Sequence, residues 1–206
     1  MINTPTMKTV AIIFWILAGI VVYTYVGYGI LLYALVKIRR VLRLNKKVVA
    51  NQSYEPAVTL FIAAYNEKDY VAAKMKNSME LDYPKDKLTI LWVTDGSDDG
   101  TNQVLTDYKE ATVLHDPARN GKIGAMNRGM KLVETPIVIF SDANTMLGRE
   151  SVRRIVRLFS DEKVGCVSGE KRIQDKNSDT ASGAGDGLYW KYESALKKWD
   201  AELYSV

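Results

Sequence analysis

Between Val10 and Val36 the chain carries no charged side chain, and a dense basic cluster follows at once: Lys37, Arg39, Arg40, Arg43, Lys46 and Lys47. An apolar run of this length can cross a hydrocarbon core of ~30 Å with residues to spare for tilt. It is too long for the apolar core of a signal peptide, and no small-residue cleavage pattern follows it. The pattern predicts an N-terminal segment with a transmembrane helix over 1–36, a basic juxtamembrane linker over 37–55 and a soluble domain over 56–206. A buried core helix is the alternative, and the unbroken length with its basic stop argues against it. Gly27 and Gly29 would allow close helix contact within the span.

Only Lys8 precedes the run, so the positive-inside rule predicts that the chain from about Lys37 onward lies in the cytoplasm of a cell-membrane protein. Anionic head groups would hold the basic cluster there. In that compartment the glycosylation sequon Asn51-Gln52-Ser53 carries no meaning.

The overall charge of +4 has to be divided before it is used. Seven of the 28 basic residues precede Gln52 and none of the 24 acidic residues does, so the remainder has 21 basic against 24 acidic residues, a net of −3. The basic excess describes a membrane collar, not a nucleic-acid-binding face. Cys166 is the single cysteine and His115 the single histidine, which excludes an intrachain disulfide and a Cys/His metal site.

After Pro56, short apolar runs alternate with helical spacing. Val58–Ala64, Leu88–Thr94, Ala111–Leu114, Ile137–Ser141 and Val164–Ile173 read as strands; Lys68–Met79, Asp98 to Tyr108, Lys122–Lys131 and Arg149–Phe159 read as helices. Such alternation predicts an α/β domain with a mostly parallel, Rossmann-like sheet. Gln174–Gly187, rich in Asp, Ser, Gly and Asn, reads as a loop. A final helix follows, with Leu188, Tyr192, Leu196, Trp199 and Leu203 on one face.

Ligands of open parallel sheets bind beyond the carboxyl ends of the strands. Here those ends read Ala64-Tyr65-Asn66-Glu67, Asp95-Gly96-Ser97-Asp98-Asp99-Gly100 and Asp142-Ala143-Asn144, with Asn120-Gly121-Lys122 opening a helix between them. One acidic strand end is ordinary turn chemistry; three on one edge beside a Gly-Lys predict a site. A P-loop is excluded because Ile123 follows Gly121-Lys122 and Asp116 stands where the first glycine belongs. Gly183-Ala184-Gly185-Asp186-Gly187 has the wrong spacing for a dinucleotide fingerprint.

These motifs, in this order and with Asn127 little more than a turn after Lys122, resemble the family 2 glycosyltransferases of the GT-A fold, over about Val58 to Ile173. The anchor and the final helix are similar to the membrane-bound, cellulose-synthase-like branch. The resemblance implies transfer of a sugar, with inversion, from a nucleotide-sugar donor, usually a uridine diphosphate sugar, to a hydroxyl acceptor on a carbohydrate or lipid. It implies a role in cell-surface polysaccharide or glycolipid synthesis. It places Tyr65 and Glu67 near the nucleoside, Asp95 on the base, Lys122 near the base or diphosphate, and Asp142 on the ribose or the metal–diphosphate. Mg²⁺ or Mn²⁺ is the implied cofactor, since a hard divalent cation with oxygen ligands neutralises a diphosphate leaving group. One position departs from the pattern: the family's Asp-x-Asp is Asp142-Ala143-Asn144 here, and an amide oxygen can ligate such a metal without supplying charge.

The resemblance also implies a carboxylate base well after the Asp-x-Asp, and in processive members a Gln-x-x-Arg-Trp motif. Neither is recognisable between Ile173 and Val206, so the base is expected beyond Val206 and the chain alone is expected to be inactive in transfer. A membrane-tethered, non-catalytic nucleotide-sugar-binding fragment is therefore the second reading. A nucleotidyltransferase would need a Gly-rich loop where Tyr65-Asn66-Glu67 stands. His115 reads as a structural or exposed histidine, and Cys166, within an expected strand, as core.

Overall fold

The computed structural model describes residues 4–42, 50–170 and 181–204, and these fall into two compact units. The first joins the N-terminal helices to the final helix; the second is the α/β unit formed by the intervening sequence.

In the first unit, α1 (Thr4–Val22) runs through one π turn (Tyr23–Gly27) into α2 (Tyr28–Val41). Nothing in Lys37–Val41 breaks a helix, so the helix continues past residue 36 into the stretch read as linker. From Val10 to Val22 large apolar side chains such as Phe14, Trp15 and Leu17 are exposed. Met7–Val41 is the one helix among the described residues long and apolar enough to cross a membrane. That much unpartnered apolar surface is suited to lipid, not to water. α7 (Ala181–Tyr204) packs on α2. Trp199 meets Tyr33 with ring centroids 5.2 Å apart, and the Tyr192 hydroxyl donates to the Tyr25 carbonyl at 2.7 Å. Arg40 forks onto Glu202 with two bonds of 2.7 Å.

The second unit is built on four parallel strands in the order β3-β2-β1-β4: β1 (Val58–Ala64), β2 (Leu88–Asp95), β3 (Ala111–Asp116) and β4 (Ile137–Asp142). β1 and β2 are almost wholly buried, which is why they read as continuous apolar runs without alternation. Helices α3 (Lys68–Met79), α4 (Thr101–Leu105) and α6 (Ser151–Val156) bring Val71, Met75, Leu105, Val152 and Val156 onto Leu60, Ile62, Trp92 and Ile139. On the other face α5 (Gly121–Met130) lays Ala125 against Phe61, Leu91 and Val93. Gly129 allows that approach: a Cβ there would stand 2.5 Å from Phe61 and Val93. The order of the strands reverses between β1 and β4, and the register sets Ala63 beside Asp142 at that point.

Four readings are corrected. Val164–Glu170, the described part of the expected fifth strand, is not in a strand; it has no ladder partner among the described residues, and its remaining residues lie outside them. Cys166 is accordingly exposed and not core. Ala181–Gly187 belongs to α7 despite its glycines, while 174–180 lie outside the described residues. The helix after β2 stops at Leu105, and the one after Arg149 begins at Ser151 and tightens into a 3₁₀ turn over Arg157–Ser160.

Candidate active site

Each expected residue of the α/β unit stands at the carboxyl edge of the sheet. Tyr65 and Glu67 follow β1, Asp95 ends β2, Lys122 lies in the first turn of α5, and Asp142 ends β4, with Asn144 in the turn beyond. Open parallel sheets bind ligands at the switch point of their strand order, which lies here between β1 and β4, so Tyr65 and Asp142 stand beside it.

The loops are tied together by short side chains. Asn66 adopts a left-handed conformation, φ 53°, which asparagine tolerates better than most residues. Its amide nitrogen donates to Asp98 Oδ1 at 2.8 Å, and its oxygen accepts from the Asp98 N–H at 3.0 Å. Asp99 takes the Lys68 N–H at 3.0 Å and the Thr101 N–H at 2.9 Å. Burial works against the charge of Asp99, but the bonds from the Thr101 hydroxyl and these amides outweigh it and lower its pKa.

Asp95 is 4 % exposed and held from two sides. Arg128 Nη1 lies 3.2 Å from its Oδ1, and the Asn120 N–H donates to its Oδ2 at 2.8 Å. The same Arg128 nitrogen reaches Asp116 Oδ2 at 3.1 Å, and Nη2 donates to the Thr94 carbonyl at 2.9 Å. Asp95 is thus fixed in one orientation, with lone pairs left for a further donor. Over the Tyr65 ring lies Arg119, its guanidinium carbon 3.9 Å from the centroid. Lys122 Nζ is 2.7 Å from Asp142 Oδ1, both groups more than half exposed.

Glu67 has its pKa raised, first by burial and then by the negative charges of Asp142 and Asp99. Asp142 and Asn144 offer two exposed hard-oxygen donors on one turn. No group of three or more His, Cys, Asp or Glu among the described residues could hold a metal. Two such oxygens can hold a divalent cation only where other oxygen ligands complete its shell. His115 is exposed and bonded to Thr94 Oγ1 at 2.9 Å, consistent with a structural role.

Residues 59–202 match the family described as Glycosyl transferase family 2. The chain belongs to this family. Its family 2 relatives include the poly-beta-1,6-N-acetyl-D-glucosamine synthase of Staphylococcus aureus, 32% identical over 139 residues, 66% of this chain and 33% of that protein. Another is the beta-monoglucosyldiacylglycerol synthase of a Nostoc species, 32% identical over 124 residues, 57% of this chain and 26% of that protein. The chain thus spans about a third or less of the length of these curated relatives. Among solved structures, a mannosyltransferase of Pyrobaculum calidifontis in complex with GDP-Man and Mn²⁺ superposes with a TM-score of 0.71. It shares 27% identity, and the match covers 87% of this chain and 49% of that one. The family 2 sheet expected from the sequence is the GT-A fold seen here.

Sequence reasoning missed Arg119, Arg128 and Asp116. Arg119 adjoins the Asn-Gly-Lys motif and Arg128 follows Asn127, so proximity to the motif was the signal available.

Proposed function

We propose that this chain forms the donor-binding part of a membrane-bound glycosyltransferase that moves a sugar from a nucleoside diphosphate to a hydroxyl of a carbohydrate or lipid acceptor. The observation that carries this reading is the Lys122–Asp142 pair beside the switch point of a family 2 sheet, with Asp95 at the end of the neighbouring β2 bonded to the Asn120 N–H two residues before Lys122. In it, the base lies along Tyr65 and Arg119 and donates to Asp95. The diphosphate draws Lys122 away from Asp142 and brings a divalent cation to Asp142 and Asn144. Bound there, the metal would lower the charge of the departing diphosphate. As the acceptor oxygen bonds to the anomeric carbon, the bond to the diphosphate breaks and the hydroxyl proton passes to a carboxylate base. We assign that base to none of the residues described here.

Uracil is the base the family resemblance favours; the similar mannosyltransferase holds GDP-Man, which keeps guanine as the second reading. Membranes containing the chain should retain radiolabelled UDP-sugar or GDP-mannose, displaced by the matching free diphosphate. Retention of neither, with Mn²⁺ present, would refute the reading.

The basic cluster after Val36 supports a cytoplasmic α/β unit and an external amino terminus. Protease added to intact cells should leave the α/β unit uncut; cleavage within it from outside would reverse the topology.

A further inference from the structure

Lys74 is a lysine with 0% exposure on the second turn of α3, and its ammonium is held by uncharged oxygens, with Asp142 acting on it only at longer range. Its Nζ donates to Ser141 Oγ at 2.7 Å and to the Thr145 carbonyl. These are the residues immediately before and after Asp142-Ala143-Asn144. One turn further along the same helix face, Asn77 pairs with the backbone of Leu147, its amide nitrogen donating to the carbonyl and its oxygen accepting the N–H, each at 2.8 Å. Ala143, 1% exposed, plugs the turn into the core while Asp142 and Asn144 point to the surface. A methionine would fill the Lys74 site without the cost of desolvating an ammonium, so packing alone does not account for a charge here. Burial pushes Lys74 down to about 8 while Asp142 pulls it up, so the ammonium prevails at neutral pH.

From this geometry we infer that Lys74 is a positioning residue for the donor diphosphate: it bridges both ends of the Asp142–Asn144 turn, with Asn77 as a second anchor, and so presents both side chains to the metal and phosphates. The inference rests on the proposed donor site. Lys74 touches neither metal nor phosphate and acts through Asp142 and Asn144.

The test compares the affinity of the detergent-solubilised chain for nucleoside diphosphate with that for nucleoside monophosphate, UDP against UMP and GDP against GMP, in Mn²⁺. Lys74→Met should lower the diphosphate affinity about tenfold and leave the monophosphate affinity unchanged, as for other residues that orient a metal ligand. Ser141→Ala removes one Lys74 bond without altering α3, and should cause a smaller loss of the same kind. Because Lys74 acts through the Asp142–Asn144 turn, Lys74→Met should cost much less in an Asp142→Ala background than in the wild type. An unchanged diphosphate affinity, an equal loss for both nucleotides, or additivity in the double variant would overturn the inference. If Lys74→Met does not fold, an unaltered Ser141→Ala overturns it by itself. A wild-type chain that binds no nucleotide brings down the donor-site reading and this inference together, whereas wild-type binding with unaffected variants brings down this inference alone.

Discussion

Lys122 Nζ lies 2.7 Å from Asp142 Oδ1, joining the first turn of α5 to the end of β4 across the switch point of the sheet. Both groups are solvated, so the pair contributes about 0–1 kcal/mol to the fold. Its cation is free to exchange one anion for another. Lys122→Ala should leave the melting temperature nearly unchanged and weaken UDP or GDP about tenfold, ~1.4 kcal/mol, with monophosphate binding much less affected. Calorimetry of both nucleotides checks this; equal loss for the two would move Lys122 away from the diphosphate.

Arg128 presents the opposite case. Its partner Asp95 is buried, and the guanidinium also spans Asp116 and the Thr94 carbonyl. Removing one member of a buried pair leaves an uncompensated charge, which costs about 3–5 kcal/mol. Arg128→Met should therefore lower stability by about that amount in thermal or chemical unfolding. A loss below about 1 kcal/mol, the scale of an exposed pair, would contradict the buried network.

Asn144 stands where the family pattern has an aspartate. Adding the missing charge favours a hard cation. Asn144→Asp should tighten Mn²⁺ binding in the presence of nucleoside diphosphate, measured by titrating the metal at fixed nucleotide. Unchanged Mn²⁺ affinity would place Asn144 outside the metal's ligands.

Stability should also depend on pH through two buried groups. Lys74 is depressed by burial to about 8, so between about pH 8 and the unfolded lysine value the unfolded chain holds a proton that the folded chain has lost. Stability therefore rises with pH across that window. Tyr83 is pushed up by burial, and next by Glu55, to about 12. Above the unfolded tyrosine value of about 10 the unfolded chain loses its proton first, so stability falls as pH climbs towards 12. Unfolding midpoints across pH 7–12 should show Lys74→Met without the rise that Lys74 adds and Tyr83→Phe without the fall that Tyr83 adds. Curves parallel to wild type would show that neither group is so placed.

The sheet was legible because burial on both faces leaves unbroken apolar runs: Val58–Ala64 was read with its observed limits, and the polar residues ending each run marked the carboxyl edge where the candidate site is proposed. Val164–Glu170 has the same local composition as a strand, but strand formation depends on a partner that local sequence does not supply. In α7, glycine was read as a breaker, yet its cost of about 1 kcal/mol per residue can be met by packing further along the helix. Lys74 was not legible for a related reason: its role comes from which helix meets which strand, and nothing in the neighbouring residues records that. Arg119 and Arg128 had only their closeness to the Asn-Gly-Lys motif and Asn127 to mark them. Asp116 was noticed only as a mismatch to the P-loop, although its place opposite Asp95 in the β2–β3 register makes it the second carboxylate of Arg128.

The central claim is that the carboxyl edge of this sheet binds a nucleoside diphosphate through Asp95 on the base and Asp142 on the metal–diphosphate. Calorimetric titration of UDP and GDP into the chain, with and without Mn²⁺, and into Asp95→Ala and Asp142→Ala tests it most directly. The account predicts that Asp95→Ala loses discrimination between the two bases, while Asp142→Ala keeps it and loses the metal-dependent gain in affinity. Undiminished, metal-dependent binding of the preferred nucleotide in both variants would contradict it.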